Sequence, residues 1–248
     1  MCTVTIIPLG KTGGFRLLAN RDERRSRPAA EPPRVAAFGH RRAAMPIDPQ
    51  GGGTWVAVND AGLAMTLLNY YLDVRVPMTG PRSRGLIIPQ LLHHATARDA
   101  ADQAAQIDTE QYGPFRLVMI DRHHIAEVTS DGQAMCELRD GRPRLYVSSG
   151  LGDDVVAEAR GELFNTMFES PPSQWPERQD ALHRHQWPDR PGVSVCMSRP
   201  EAGTLSMTEV TADGSQVTMR YYGAPPNQSI DPAVVTLDAH GSGGETVD

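Results

Sequence analysis

Met1-Cys2-Thr3-Val4-Thr5-Ile6-Ile7-Pro8-Leu9-Gly10-Lys11-Thr12-Gly13-Gly14-Phe15-Arg16-Leu17-Leu18-Ala19-Asn20-Arg21-Asp22-Glu23 opens the chain, and it has the form of a β-hairpin. Two apolar runs rich in β-branched residues flank a short Gly-rich connection. A turn centred on Lys11-Thr12 places Cys2 opposite Arg21, with Asn20 and Asp22 beside it. A thiol, a guanidinium, a carboxylate and an amide then meet at the open end of one hairpin.

Cys is small, and initiator Met is generally removed before a small residue, so the mature chain is expected to begin at Cys2. A free N-terminal Cys carries an amine of pKa about 7.7–8.0 and a thiol of pKa about 8.5. The amine then acts as general base for its own side chain, as in N-terminal Thr nucleophiles. Arg21 favours the thiolate, and Asp22 accepts hydrogen bonds from the ammonium. The competing reading is plainer: Cys2 is an inert small residue, and Asn20 to Glu23 are a solvated strand end.

Met1-Cys2 followed by Leu17-Leu18-Ala19-Asn20-Arg21-Asp22-Glu23 and Ser26-Arg27-Pro28 resembles the NRDE family, also called the transport and Golgi organisation protein 2 family. The resemblance continues in Gly52-Gly53-Thr54-Trp55, Leu68-Asn69-Tyr70, Ser83-Arg84-Gly85 and Ser194-Val195-Cys196-Met197, and spans about residues 1–223. It implies an N-terminal-nucleophile (Ntn) hydrolase of the Cys type, related to penicillin V acylases and bile salt hydrolases. It also implies a link to haem handling or to lipid and acyl-CoA metabolism. By the same resemblance Asn69 donates to an oxyanion, joined by a backbone N–H near Tyr70, and Arg199 points into the site. Read from the residues alone, Asn69 closes a strand by bonding its own backbone, and Arg199 is a rim arginine. Ser149 stands where related enzymes carry Asn. Cys2, Arg21, Asp22 and Asn69 are therefore the expected catalytic residues, and Asn20, Trp55, Tyr70, Ser149 and Arg199 the expected substrate contacts.

The 248 residues suit one sizeable domain. A net charge of −6 with no basic run argues against nucleic acid as the main partner. No stretch is long and apolar enough for a membrane span, and no secretory signal is visible. Three separated cysteines, at 2, 136 and 196, fit free thiols in a reducing compartment, hence the cytoplasm. No spacing of His, Cys and carboxylates suggests a metal, and no cofactor is expected.

The remaining pattern is strands, helices, strands, helix, strands. Residues 24–53, rich in Arg, Ala, Pro and Gly, read as a long loop, either a lid or a mobile connector. Thr54–Asn59 and Leu63–Asn69 form a hairpin. From Ser83 the chain turns helical, bent by Pro89, and Thr96-Ala97-Arg98-Asp99 has the form of a capping box. Four short strands follow between 115 and 148. Asp153-Asp154 open a helix whose Val155, Val156, Ala159, Leu163, Phe164, Met167 and Phe168 read as a core stripe. Strands are expected at 193–198, 204–210 and 216–222, then a disordered tail over 224–248. The fold class this order implies is α+β: a four-layer αββα sandwich of two antiparallel sheets between helices, one domain over 1–223.

Two functions follow. The first is an amidohydrolase using Cys2 on an amide or thioester of a small molecule. The second is a non-catalytic protein binding haem or acyl-CoA on the same fold. There is no Cys-x-x-Cys-His haem run and no histidine stands out as an axial ligand; His40, in the 24–53 stretch, is the least implausible of them.

Overall fold

The computed structural model describes residues 2–10, 13–71 and 80–239. The opening hairpin forms: β1 (Cys2–Leu9) pairs antiparallel with β2 (Gly14–Arg24), and Cys2 stands opposite Arg21. Its turn centre, Lys11-Thr12, lies outside the described residues. These two strands occupy the middle of a six-stranded sheet ordered β10-β1-β2-β11-β12-β13, with β10 at Arg144–Ser148, β11 at Ala202–Ala212, β12 at Gln216–Tyr222 and β13 at Ala233–Asp238.

The second sheet is a seven-stranded meander. Its strands are β3 (Glu31–Phe38), β4 (Arg41–Ile47), β5 (Val56–Asn59), β6 (Ala64–Asn69), β7 (Phe115–Ile120), β8 (His124–Thr129) and β9 (Ala134–Leu138). The period of two along each strand decides what goes where. Val4, Ile6, Phe15, Leu17 and Ala19 of the first sheet meet Val56, Val58, Ala64, Val118 and Ile120 of the second in one core. The outer face of the second sheet carries α1 (Ile87–Leu91) and α2 (Ala97–Ala104) on a separate core that includes Met65, Leu117 and Met119. The outer face of the first sheet carries α3 (Asp153–Phe168) and α4 (Trp175–Arg184). The order of layers is helix, sheet, sheet, helix, as the strand and helix order implies.

Local chemistry explains several element ends. Thr96 Oγ1 accepts from the Asp99 N–H at 3.1 Å and donates to the Asp99 carboxylate at 2.7 Å, capping the start of α2. Pro89 does not bend α1, because it falls in the first turn, where its missing N–H has no helical acceptor.

Four expectations are corrected. Residues 24–53 are not a bare loop, since β3 and β4 fill most of it as a hairpin turning at Gly39, φ +61°. An edge strand tolerates Pro32 and Pro33, which is why a proline-bearing stretch could pair. Residues 233–238 are a strand, not tail: Val235 and Leu237 turn inward while Val234 and Thr236 face out. That alternation decides against the polar composition around it; residues 240–248 lie outside the described part. The 193–198 stretch contains no strand, and its backbone is tied singly to neighbours, Cys196 N–H to the His185 carbonyl and the Thr204 N–H to the Met197 carbonyl. The stripe on α3 is not core: Val155 is 49% exposed, and the helix buries only Val156 and Arg160.

Candidate active site

Cys2 lies at the end of β1 with neighbours on both sides. Ser148 is its register partner on β10 and Arg21 its partner on β2. The Cys2 backbone nitrogen donates to Ser148 Oγ at 3.1 Å. Because Cys2 and Arg21 are directly opposed, both side chains fall on the face turned toward the second sheet. There the Arg21 guanidinium stacks over Trp55, 4.6 Å from the ring centroid. Arg21 also approaches Glu23 (3.7 Å) and Asp48 (4.0 Å), and Arg27 binds Asp48 in turn.

Asp22 falls on the opposite face of β2 and is buried. Its Oδ1 accepts from Thr204 Oγ1 at 2.5 Å, beside the register shift between Thr204 and Ser206 of β11. Burial pushes the Asp22 carboxyl above its usual range, with Arg160 opposing. Arg160 comes from α3, fully buried, and is held by Thr3 Oγ1 (2.8 Å) and the carbonyls of Val193 (3.0 Å) and Ser194 (2.7 Å). Nothing in its helical pattern distinguishes Arg160 from a surface arginine. Only packing of α3 on the first sheet brings it to Asp22.

The thiol departs from the sequence expectation. Burial is the largest influence on Cys2 and pushes its pKa up, outweighing Arg21 and the nearby positive N-terminus. At neutral pH Cys2 is a thiol, so its proton must be removed during any attack.

Cys2, Arg21 and Asp22 line a cleft of about 850 Å³. Of the residues singled out in the sequence, Cys2, Arg21, Asp22, Asn69, Trp55 and Arg199 contribute to its wall. The other expected contacts do not. Asn20 shares the face of β2 opposite to Arg21, so its amide points to the helices: Nδ2 donates to the carbonyls of His183 (2.9 Å) and Val195 (3.1 Å). Tyr70 turns its ring under Arg116 (4.7 Å), and its N–H donates to the Pro114 carbonyl, so it is no oxyanion donor. Ser149 is buried behind the wall, where its Oγ accepts from Arg199 Nη2 (3.3 Å) and the Leu151 N–H (3.2 Å).

Tyr71 lines the cleft, and its hydroxyl accepts from Asn69 Nδ2 at 3.0 Å. Burial pushes the Tyr71 pKa up, so the hydroxyl keeps its proton and remains a donor. Its N–H is bound to Asp153 Oδ2 at 3.2 Å, at the start of α3. Arg84 is the other wall residue the motif pattern left without a role. Its Nη1 donates to the Pro114 carbonyl at 3.1 Å. His40 sits at the exposed β3–β4 turn, outside the cleft, and among the described residues no histidine lines it. Among the described residues no group of His, Cys and carboxylates could hold a metal ion, and no helix is long and apolar enough to cross a membrane.

An α+β sandwich with a buried thiol opening its central hairpin, flanked by guanidinium and carboxylate at the end of a polar cleft, is the class of protein that fold and site define. The chain belongs to the Transport and Golgi organisation 2 family, whose model matches residues 1–181. No curated protein matches it. Among solved structures it is similar to two of a conjugated bile acid hydrolase from Clostridium perfringens. These are 11% and 9% identical, with TM-scores of 0.48 and 0.46, covering 96% and 99% of this chain and 92% and 100% of those chains. Anbu, an ancestral beta-subunit from Yersinia bercovieri, is 10% identical at a TM-score of 0.45, with 96% of this chain and 88% of that one covered.

Proposed function

We propose that this chain is an amidohydrolase whose nucleophile is Cys2 once Met1 has been removed, acting on an amide or thioester of a small molecule. The observation carrying this reading is the placement of Cys2 in the cleft wall between Ser148 and Arg21, with Asp22 and Asn69 in the same wall. The Cys2 amine takes the thiol proton as Sγ forms a bond to the carbonyl carbon. The carbonyl π electrons move to oxygen, where Asn69 Nδ2–H, helped by the Tyr71 hydroxyl, stabilises the charge. Collapse expels the amine or thiol, which leaves with the proton, and an acyl thioester remains on Cys2. Water attacks this thioester, its proton passes to the amine and then to the departing Sγ, and a carboxylic acid is released.

A buried, protonated thiol is the observation favouring a second reading, in which the cleft binds acyl-CoA or haem without turnover. Two measurements separate them. The intact mass of untagged protein is expected to lack Met1, and Cys2→Ala is expected to abolish hydrolysis while keeping the melting temperature. Retained Met1, or unchanged hydrolysis in Cys2→Ala, overturns the hydrolase.

A further inference from the structure

Two motifs that the proposed chemistry does not use meet in space. Gly53, from Gly52-Gly53-Thr54-Trp55, packs against Gly85, from Ser83-Arg84-Gly85. A Cβ at Gly53 would lie 2.3 Å from the carbonyl carbon and oxygen of Gly85. A Cβ at Gly85 would lie 3.1 Å from the Thr54 nitrogen, and the Thr54 N–H donates to the Gly85 carbonyl at 3.0 Å. This backbone-on-backbone contact excludes a side chain at Gly53 and leaves only tight room for one at Gly85. It clamps the 80–85 segment to the Thr54-Trp55 approach to β5, and so sets Arg84 in the cleft wall.

The clamp has an electrostatic result. The chain carries a net charge of −6. Among the described residues the cleft is the reverse, with six arginines and four carboxylates in its wall. Four of these arginines come from two segments: Arg21, Arg24 and Arg27 from β2 and the turn after it, and Arg199 from the approach to β11. Arg21 and Arg27 are engaged with Glu23 and Asp48. Arg82 and Arg84 are added from the side of the second sheet, through the clamped segment. A positive cleft in an acidic protein concentrates anions, and guanidinium groups suit carboxylate and phosphate oxygens.

We propose that the substrate carries a carboxylate or phosphate, held between Arg84 and Arg199 while its acyl carbonyl faces Cys2, with Gly53 and Gly85 acting as positioning residues for Arg84. This deepens the hydrolase reading and rests on it for the orientation of the acyl group.

The test uses Cys2→Ala, so that nothing is consumed, and three probes: N-butyrylglycine, N-butyryl-2-aminoethyl phosphate and the neutral N-butyrylglycinamide. Calorimetry at low salt is expected to show at least one anionic probe binding tenfold or more tighter than the neutral one. The tighter anion identifies the group as carboxylate or phosphate. The preference is expected to shrink with added salt, to vanish in Arg84→Met and Arg199→Met, and to persist in part in Arg84→Lys. Melting curves establish that each variant is folded. Equal binding of all three probes, no binding of any, or a preference unchanged in both Met variants overturns the inference. If wild-type protein hydrolyses none of the probes while Cys2→Ala keeps the preference, the hydrolase reading falls and anion recognition stands.

Discussion

The Arg21 guanidinium lies 4.6 Å from the centre of the Trp55 ring, and this contact joins the two sheets at the cleft. Trp55 is 8% exposed and belongs to the inter-sheet core. Its Nε1–H has no hydrogen-bond partner among the described residues. Trp55→Phe therefore removes no such bond and keeps a ring under Arg21, so it should cost less than about 1.5 kcal/mol. Trp55→Ala should cost about 3–5 kcal/mol through the cavity it leaves. Urea unfolding of the two variants checks the difference.

The raised Cys2 thiol makes its alkylation a pH measurement. Above the ordinary thiol range, near pH 8.5, labelling of Cys2 by iodoacetamide should still rise roughly tenfold per pH unit. Peptide mapping separates Cys2 from Cys136 and Cys196. A rate already level at pH 7 would mean that Arg21, not burial, governs the thiol.

Asn69 and Tyr71 should act on turnover rather than on binding. If hydrolysis is found, Asn69→Ala is expected to lower kcat by about 10²–10³ with little change in KM. Tyr71→Phe leaves the ring and removes the hydroxyl that Asn69 touches, and a smaller loss in kcat is expected. A change confined to KM would make both of them binding residues only.

A buried polar chain ties α4 to the hairpin and should make the protein acid-sensitive. Gln179 donates to Thr5 Oγ1 (2.9 Å), which contacts His183 Nε2 (2.7 Å), whose Nδ1 contacts Asn20 Oδ1 (2.9 Å). Asn20 spends its amide N–H groups on two carbonyls, so its oxygen accepts and His183 Nδ1 carries the proton. Burial, aided by Arg16 and Arg160, pushes the His183 pKa down to about 3. The unfolded chain binds a proton near pH 6.5 that the folded chain refuses. This contribution is fully present above pH 6.5 and is lost at up to about 1.4 kcal/mol per pH unit as pH falls toward 3. Unfolding free energy measured from pH 7 to 4 should fall, and His183→Gln should flatten that slope.

The hairpin register was legible because β-branched runs and glycines specify strands and turn locally, and once the turn is placed Cys2 must oppose Arg21. The helix–sheet–sheet–helix order followed from the succession of strand and helix patterns in the same way. Asn20 shows where such reading stops: adjacency to Arg21 suggested a shared site, yet its amide turns to the His183 and Val195 carbonyls, while Asp22, on the same face but nearer the strand end, reaches the cleft wall. Tyr70 and Tyr71 part in the same way: Tyr71 lines the cleft, whereas Tyr70 packs its ring on Arg116. The burial that raises the Cys2 thiol, the arrival of Arg160 at Asp22 and the Gly53–Gly85 clamp depend on packing between segments far apart in the chain. Local pattern determines which residues face together within one element, whereas desolvation and contact between elements exist only once the layers have closed.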